Sequence, residues 1–363
     1  MSLPSALRPH RWWWIVLGAG ALLLRAVWAP QAVEAHYSRL FFPALRRVVD
    51  PVLSVVPFPV VYLLVGLLIL LIYRLLRRLR RTAGVLPKLG QLGYSLTAFA
   101  GAVAFLFLVL WGYNYKRLPV ERSMDLRPKP LGLVPLRAEL DTITALMQTA
   151  RAEIPAATDS ALVDSFDPDS LLLTVRAALE RQLALYEFPV AGRVQGRLLH
   201  PRGILLRFST AGVYLPWTGE GHIDAGLHPL QQPYVLAHEL AHGYGFTDEG
   251  TCNFWAFLTL TAHEDPLLRY LGYFGYWRTL AGNYRRSARD DYRAFYRQAV
   301  APGVKADLAA IYTEMDKYPD ILPTVRDAVY DNYLKAQGIE EGLKNYSRVI
   351  MLVHAWRKEQ MKT

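Results

Sequence analysis

The chain has 363 residues, 52% of them hydrophobic, with a formal net charge of +10 and a mean hydropathy of +0.13, high for a water-soluble protein. Its single cysteine, Cys252, excludes an intramolecular disulfide framework and a cysteine-rich zinc finger. Much of the basic excess flanks apolar segments and no nucleic-acid motif is present, so the expected partner is an anionic lipid surface and not nucleic acid.

Three apolar stretches predict membrane helices. Trp12–Trp28 is the first, with Trp12-Trp13-Trp14 as an interfacial belt and Arg25 close enough to one end to snorkel. A cleavable signal peptide is the alternative there, but no small-residue cleavage site follows. Val52–Tyr73 is the second, long enough for a hydrocarbon core of about 30 Å, with Pro57 and Pro59 near its start, where they harm a helix least. Tyr94–Tyr113 is the third and carries no charge. The loop between the last two holds Arg74, Arg77, Arg78, Arg80, Arg81 and Lys88 and no acid, and Arg8 and Arg11 precede the first. Basic loops stay in the cytoplasm, so Gln31–Pro51 and everything after Tyr113 are expected outside it. The implied location is a membrane with the C-terminal domain on its non-cytoplasmic side.

Residues 1–118 thus read as a membrane domain and 119–135 as a Pro- and Arg-containing linker. Residues 136–363, about 225 in number, suffice for one sizeable core. Helical patterns cover Arg137–Ile154 and Pro168–Tyr186; extended patterns cover Gly203–Ser209, Gly212–Pro216 and His222–Asp224. Pro216 marks its strand as an edge, and an edge strand can take up an extended peptide as an added strand. Everything after Glu249 reads as helical, to a last helix at Tyr346–Lys358. The expected fold class is α+β, mostly α, with a small β-sheet in the C-terminal domain.

The chemistry concentrates in Val235-Leu236-Ala237-His238-Glu239-Leu240-Ala241-His242, an HExxH pattern on an apolar helix starting near Leu230. His238 and His242 lie one turn apart on one face, so both imidazoles reach a single metal ion. Glu239 is about 100° further round, beside the metal, where a carboxylate can take a proton from a metal-activated water. Buried His and Glu need partners, and a metal supplies them; chance occurrence of the pattern is the plain alternative. Gly243 and Gly245 end this helix, and a second starts at Thr247 as N-cap. Glu249 in its first turn is the candidate third ligand, and Asn253, four residues on, is a polar group able to orient a ligand. Asp248, Thr251 and the cluster His263-Glu264-Asp265 are rivals for the third position. Cys252 reads as a packed core thiol; His222, His228 and His354 read as surface, hydrogen-bonding or packing residues.

The chain also resembles the bacterial membrane-protein family catalogued as domain of unknown function 3810, whose members pair three N-terminal spans with a zincin-type domain. The likeness rests on Trp111-Gly112-Tyr113-Asn114-Tyr115, on Gly212 to Glu220, on His238–His242 with Gly245-Phe246 and Asn253-Phe254, on Asp331 to Lys335, and on Asn345-Tyr346-Ser347-Arg348. Many relatives have a second acid where Thr251 stands, which leaves Glu249 as the acid available to the metal. The interval from His242 to Glu249 is shorter than in the best-known Glu-ligated zinc proteases. The resemblance implies a membrane-anchored, gluzincin-like zinc metallopeptidase acting on a peptide or protein. Zn2+ would be held by His238, His242 and Glu249, with Glu239 as general base. Tyr346, Arg348 and Tyr333 are candidate donors to the developing oxyanion. A zinc-binding module without catalysis, and a structural membrane protein, are the alternatives.

Overall fold

A computed structural model describes residues 12–155, 157–162, 165–321, 323–340 and 342–362, the side chains of 325, 343, 344 and 346 excepted. Arg8 and Arg11 of the expected inner cluster lie outside the described residues. The N-terminal part comprises α1 (Trp12–Val27), a single turn α2 (Pro30–Ala32) continuing as a π-helix (Val33–Phe41), α3 (Phe42–Ser54), α4 (Val61–Arg81) and α5 (Val85–Leu110). α1 and α5 cross so closely that a Cβ on Gly18 would lie 2.6 Å from the Gly101 Cα, and one on Gly101 would lie 2.4 Å from the Trp14 carbonyl. Small residues at such a crossing let two helix backbones touch, the contact that replaces hydrophobic drive between helices in lipid.

The membrane segments differ from the sequence reading. Among the described residues, only α5 is by itself both long and apolar enough to cross a membrane; α1 and Pro30–Ser54 pass together as a pair bent by 112°. The expected span Val52–Tyr73 is not one helix. α3 stops at Ser54 and α4 starts at Val61, with Pro57 and Pro59 between them, because proline donates no backbone hydrogen bond and turns its predecessor away from helix. From Val61 to the first arginine, Arg74, α4 offers about 20 Å of apolar helix. The third expected segment is instead longer at its start, running from Val85.

After a 3-10 helix (Gly112–Lys116) and the single turn α6 (Val120–Ser123), the C-terminal domain begins with α7 (Leu133–Ala152) and α8 (Pro168–Leu185). The strands β1 (Gln195–Leu199), β2 (Gly212–Leu215) and β3 (Glu220–Asp224) form a sheet ordered β1-β3-β2. β1 runs parallel to β3 and β2 antiparallel, so β2 is an edge strand. The expected strand Gly203–Ser209 is a turn and a 3-10 helix (Leu206–Phe208). Its backbone is taken up by Asp224, whose buried carboxylate accepts from the N–H groups of Gly203, Leu205, Leu206 and Gly226. Those donors are lost to any strand ladder.

The remaining helices are α9 (Gln232–Gly243), α10 (Glu249–Thr261), α11 (Pro266–Ser287), α12 (Arg289–Ala299), α13 (Pro302–Met315), α14 (Pro323–Ala336) and α15 (Arg348–Gln360). The fold is therefore mostly helical with one small sheet. α10 is its axis: Cys252, Phe254, Trp255 and Phe257 are buried, and α8, α9, α11 and α15 pack round it. Burial of each large apolar side chain contributes roughly 1.5–3 kcal/mol. This core fixes α9 and α10 side by side, which places the candidate site.

Candidate metal centre

α9 enters the site buried along nearly its whole length. It sets His238 and His242 one turn apart, with their Nε2 atoms 3.1 Å from each other. The helix ends as expected at the glycines: Gly245 has φ +87°, and Phe246 N–H bonds back to the Ala241 carbonyl, a left-handed C-terminal cap. That reversal points the Phe246 carbonyl at His242 Nδ1, 2.8 Å away. The N-cap of α10 is Asp248, not Thr247; its carboxylate accepts from Thr251 N–H at 2.7 Å. Glu249 follows at once. Its Oε2 lies 3.0 Å from His238 Nε2 and 3.5 Å from His242 Nε2. Asn253 Oδ1, one turn on, lies 3.1 Å from His238 Nδ1. His238, His242 and Glu249 thus form a buried cluster able to hold a metal ion.

The hydrogen bonds fix which ring atoms face the centre of the cluster. Both Nδ1 atoms face carbonyl oxygens, which accept only, so each Nδ1 is assigned the ring proton. Both Nε2 atoms then present lone pairs to each other and to a carboxylate oxygen. Burial disfavours charge on Glu249, but His242 and His238 outweigh it and hold its carboxyl well below the usual range. Burial likewise disfavours a charged His242, yet Cys252 and Glu249 raise its pKa well above the ordinary value. A proton on one imidazole answers one of these contacts; a cation answers all of them. Ligand atoms at about 2.0–2.2 Å from a tetrahedral zinc lie about 3.3–3.6 Å apart, close to the observed 3.0–3.5 Å. The donor set fits zinc.

Glu239 lies on the same helix, 3% exposed, against the sheet. A Cβ on Gly212 of β2 would come within 2.7 Å of its Oε1, and one on Gly221 of β3 within 2.7 Å of its Cβ. Glycine at both positions is what lets the strands approach this carboxylate. Its Oε2 has no hydrogen-bond partner among the described residues. Burial raises the Glu239 carboxyl above its usual range, while His238 and His242 pull it back.

The other sequence candidates go elsewhere. Arg348 donates to Asp248 Oδ1 at 2.7 Å, Thr251 Oγ1 at 3.0 Å and Glu121 Oε1 at 2.5 Å. It ties the segment after α5 to the start of α10, and the structure does not bring its guanidinium to the ligand atoms. Tyr346 stands in the 3-10 helix Gly342–Ser347, and its side chain lies outside the described residues. Tyr333 is hydrogen-bonded to Tyr115 at 3.2 Å and stacks on Tyr330. Tyr330 was missed: its hydroxyl donates to Glu249 Oε1 at 2.8 Å. The only signal for it was its place three residues before Tyr333 on one helix face. Of the rivals, Asp265 caps α11 and His263 accepts from Asp265 N–H. His222 is fully buried on β3 with Nε2 3.5 Å from Glu220 Oε2, His228 caps the turn before α9, and His354 pairs with Glu139. Cys252 is buried, 3.3 Å from His242 Nδ1, with its thiol pushed up to about 12 by burial.

The C-terminal domain is joined to the N-terminal helices at this site. Trp111, directly after α5, donates its indole N–H to the His242 carbonyl at 2.8 Å, its ring edge-on to the imidazole. Residues 37–354 match the family described as protein of unknown function, DUF3810, and the chain belongs to it. No curated protein and no solved structure matches the chain.

Proposed function

We propose that the protein is a membrane-anchored zinc hydrolase, most simply a peptidase of zincin type. One observation carries the reading: two imidazole lone pairs and a carboxylate oxygen converge in a buried cluster, with a second, raised carboxyl on the same helix. His238, His242 and Glu249 would hold zinc, which when bound supplies Lewis-acid polarisation of water and of a substrate carbonyl. The chain's own groups do the rest. Asn253 and the Phe246 carbonyl fix the two imidazoles as Nδ1–H tautomers, and Tyr330 orients the Glu249 carboxylate. Glu239, buried and with its Oε2 unpartnered among the described residues, would take a proton from the attacking water and return it to the leaving amine. The free edge of β2 runs beside Glu239 and suits an extended peptide added as a strand.

We further propose that α5, packed against α1, crosses the bilayer and anchors the C-terminal domain. The ends of α1 and α5 meet at the domain, where Lys116 Nζ donates to the carbonyls of Arg25 at 2.6 Å and Trp28 at 2.9 Å. α4 starts at the domain, with Val60 N–H on Glu220 and Tyr62 on His200. Its arginine-rich end and the following loop are therefore far from the domain, as a cytoplasmic position requires. A reporter active only outside the cytoplasm is expected to work when fused after Thr363. Activity from a fusion within Arg74–Lys88 would reverse the orientation.

The hydrolase reading is tested on the purified full chain. Elemental analysis is expected to find about one zinc per chain in wild type and little in His238→Ala, matching the one three-ligand cluster among the described residues. A degenerate peptide pool is expected to be cleaved, with activity abolished by chelator and restored by zinc. Zinc without cleavage leaves a binding module; cleavage without zinc overturns the assignment of the site.

A further inference from the structure

We propose that the metal centre works within the interfacial layer of the bilayer and acts on polypeptide segments lying next to a membrane anchor. This rests on the zinc-hydrolase and membrane-anchored readings above and names the substrate class for that site. Three independent features set the level of the metal helix relative to the lipid.

The first is the joint with α5. Leu110 ends the longest apolar helix, and the next residue, Trp111, is bonded to the backbone of a metal ligand, His242. A tryptophan at such a junction marks the boundary between hydrocarbon and headgroups. Phe107, a turn inside α5, packs at 5.7 Å against Trp217, which follows β2. The end of the proposed substrate strand therefore sits at the depth of the last turn of the span.

The second is the later part of α3, where polarity is inverted, whereas nearer its start Phe42 and Pro43 are buried and Arg47 is exposed. Arg46 and Asp50 are buried and paired at 2.8 Å. Arg46 reaches on to Tyr214 of β2 and to the Gly219 carbonyl between β2 and β3. Val48, Val52 and Val55, at helical spacing on the opposite face, are 71%, 66% and 78% exposed. An apolar outer stripe opposite a paired buried charge suits a lipid-facing surface, where charges pair inside. The wall that carries the edge strand is thus itself a lipid-facing surface.

The third is charge. A cavity of about 490 Å³ beside the site is lined by Arg25, Lys116, Arg117, Arg122 and Lys335, with Tyr115 in its wall. Tyr115 joins through Tyr333 and Tyr330 to Glu249. Arg117 is paired with Glu34 and Lys335 with Asp331, so the excess charge here is carried by Arg25, Lys116 and Arg122, near the ends of α1 and α5; cations at that level suit lipid phosphates. The metal centre is therefore at headgroup depth, and a scissile bond reaches it without leaving the membrane surface only when it lies close to an anchor.

The test uses the zinc-loaded full chain in vesicles of phosphatidylethanolamine and phosphatidylglycerol. The degenerate peptide pool is offered in three forms: free, carried directly on a palmitoyl anchor, and carried on the same anchor through a flexible spacer of about twenty residues, which spans about 25 Å. Both anchored pools are concentrated equally at the bilayer, so local concentration alone does not separate them. The directly anchored pool is expected to be cleaved at least about tenfold faster than the spaced one, because only its scissile bonds stay at the depth of the site. Equal rates, or faster cleavage of the spaced or free pool, overturn the substrate class and leave the hydrolase reading standing. Cleavage of none of the three by zinc-loaded protein overturns the hydrolase reading, and this inference with it.

Discussion

Glu239→Gln is expected to lower peptide hydrolysis by about 10²–10⁴-fold, the usual contribution of a general base, while zinc stays bound. The amide keeps the shape of the carboxylate, so the close approach of Gly212 and Gly221 to this side chain is undisturbed. It removes the basicity on which proton transfer depends. None of the three ligand atoms changes. Glu249→Gln is expected to behave differently, since a neutral amide is a poor zinc ligand and the Tyr330 hydroxyl would then support the wrong group. Metal content measured beside kcat for both variants separates the roles. Loss of zinc in Glu239→Gln together with retention in Glu249→Gln would exchange the two assignments.

What the sequence could disclose about this site follows from how local each interaction is. His238, Glu239 and His242 lie within two turns of one helix, so spacing alone places them. Glu249 and Asn253 were readable because a short glycine turn forces α10 back along α9. Tyr330 reaches Glu249 from a helix 81 residues further on, and no local pattern announces that. The partners of Arg348 were hidden for the same reason: it pairs with Asp248 and Glu121, contacts set by tertiary packing. The fold shows the same division. Helices α7 and α8 followed from apolar periodicity, whereas Gly203–Ser209 has a strand's composition but loses its donors to Asp224. β1 was missed because Gln195-Gly196-Arg197 carries no β pattern; Gly196 is there because a Cβ would lie 2.3 Å from Leu236 Cδ1. Apolar composition marked α5 as a helix long and apolar enough to cross a membrane, but Pro57 and Pro59 divide what hydropathy alone reads as continuous.

Removing zinc is expected to lower the thermal midpoint of the detergent-solubilised full chain, and adding it back to restore the loss. The proposed ligands come from α9 and α10, both deeply built into the core, so a metal there would bind the folded arrangement and have no preformed site in the unfolded chain. Free zinc at a thousandfold over its Kd stabilises by about 4 kcal/mol through mass action. Without it the cluster retains two buried imidazoles and a carboxylate whose contacts one proton cannot all satisfy. His242→Ala is expected to lose the zinc-dependent rise altogether. Asn253→Ala keeps all three ligands but frees the His238 ring, and is expected to weaken zinc binding by about 10–100-fold, shifting the rise to higher zinc concentration without abolishing it. Thermal unfolding across a zinc titration for the three proteins checks this order. A wild-type midpoint that moves neither with zinc nor with chelator would mean that protonation of His242 alone balances the cluster, and that the buried triad is a structural hydrogen-bond network with no metal.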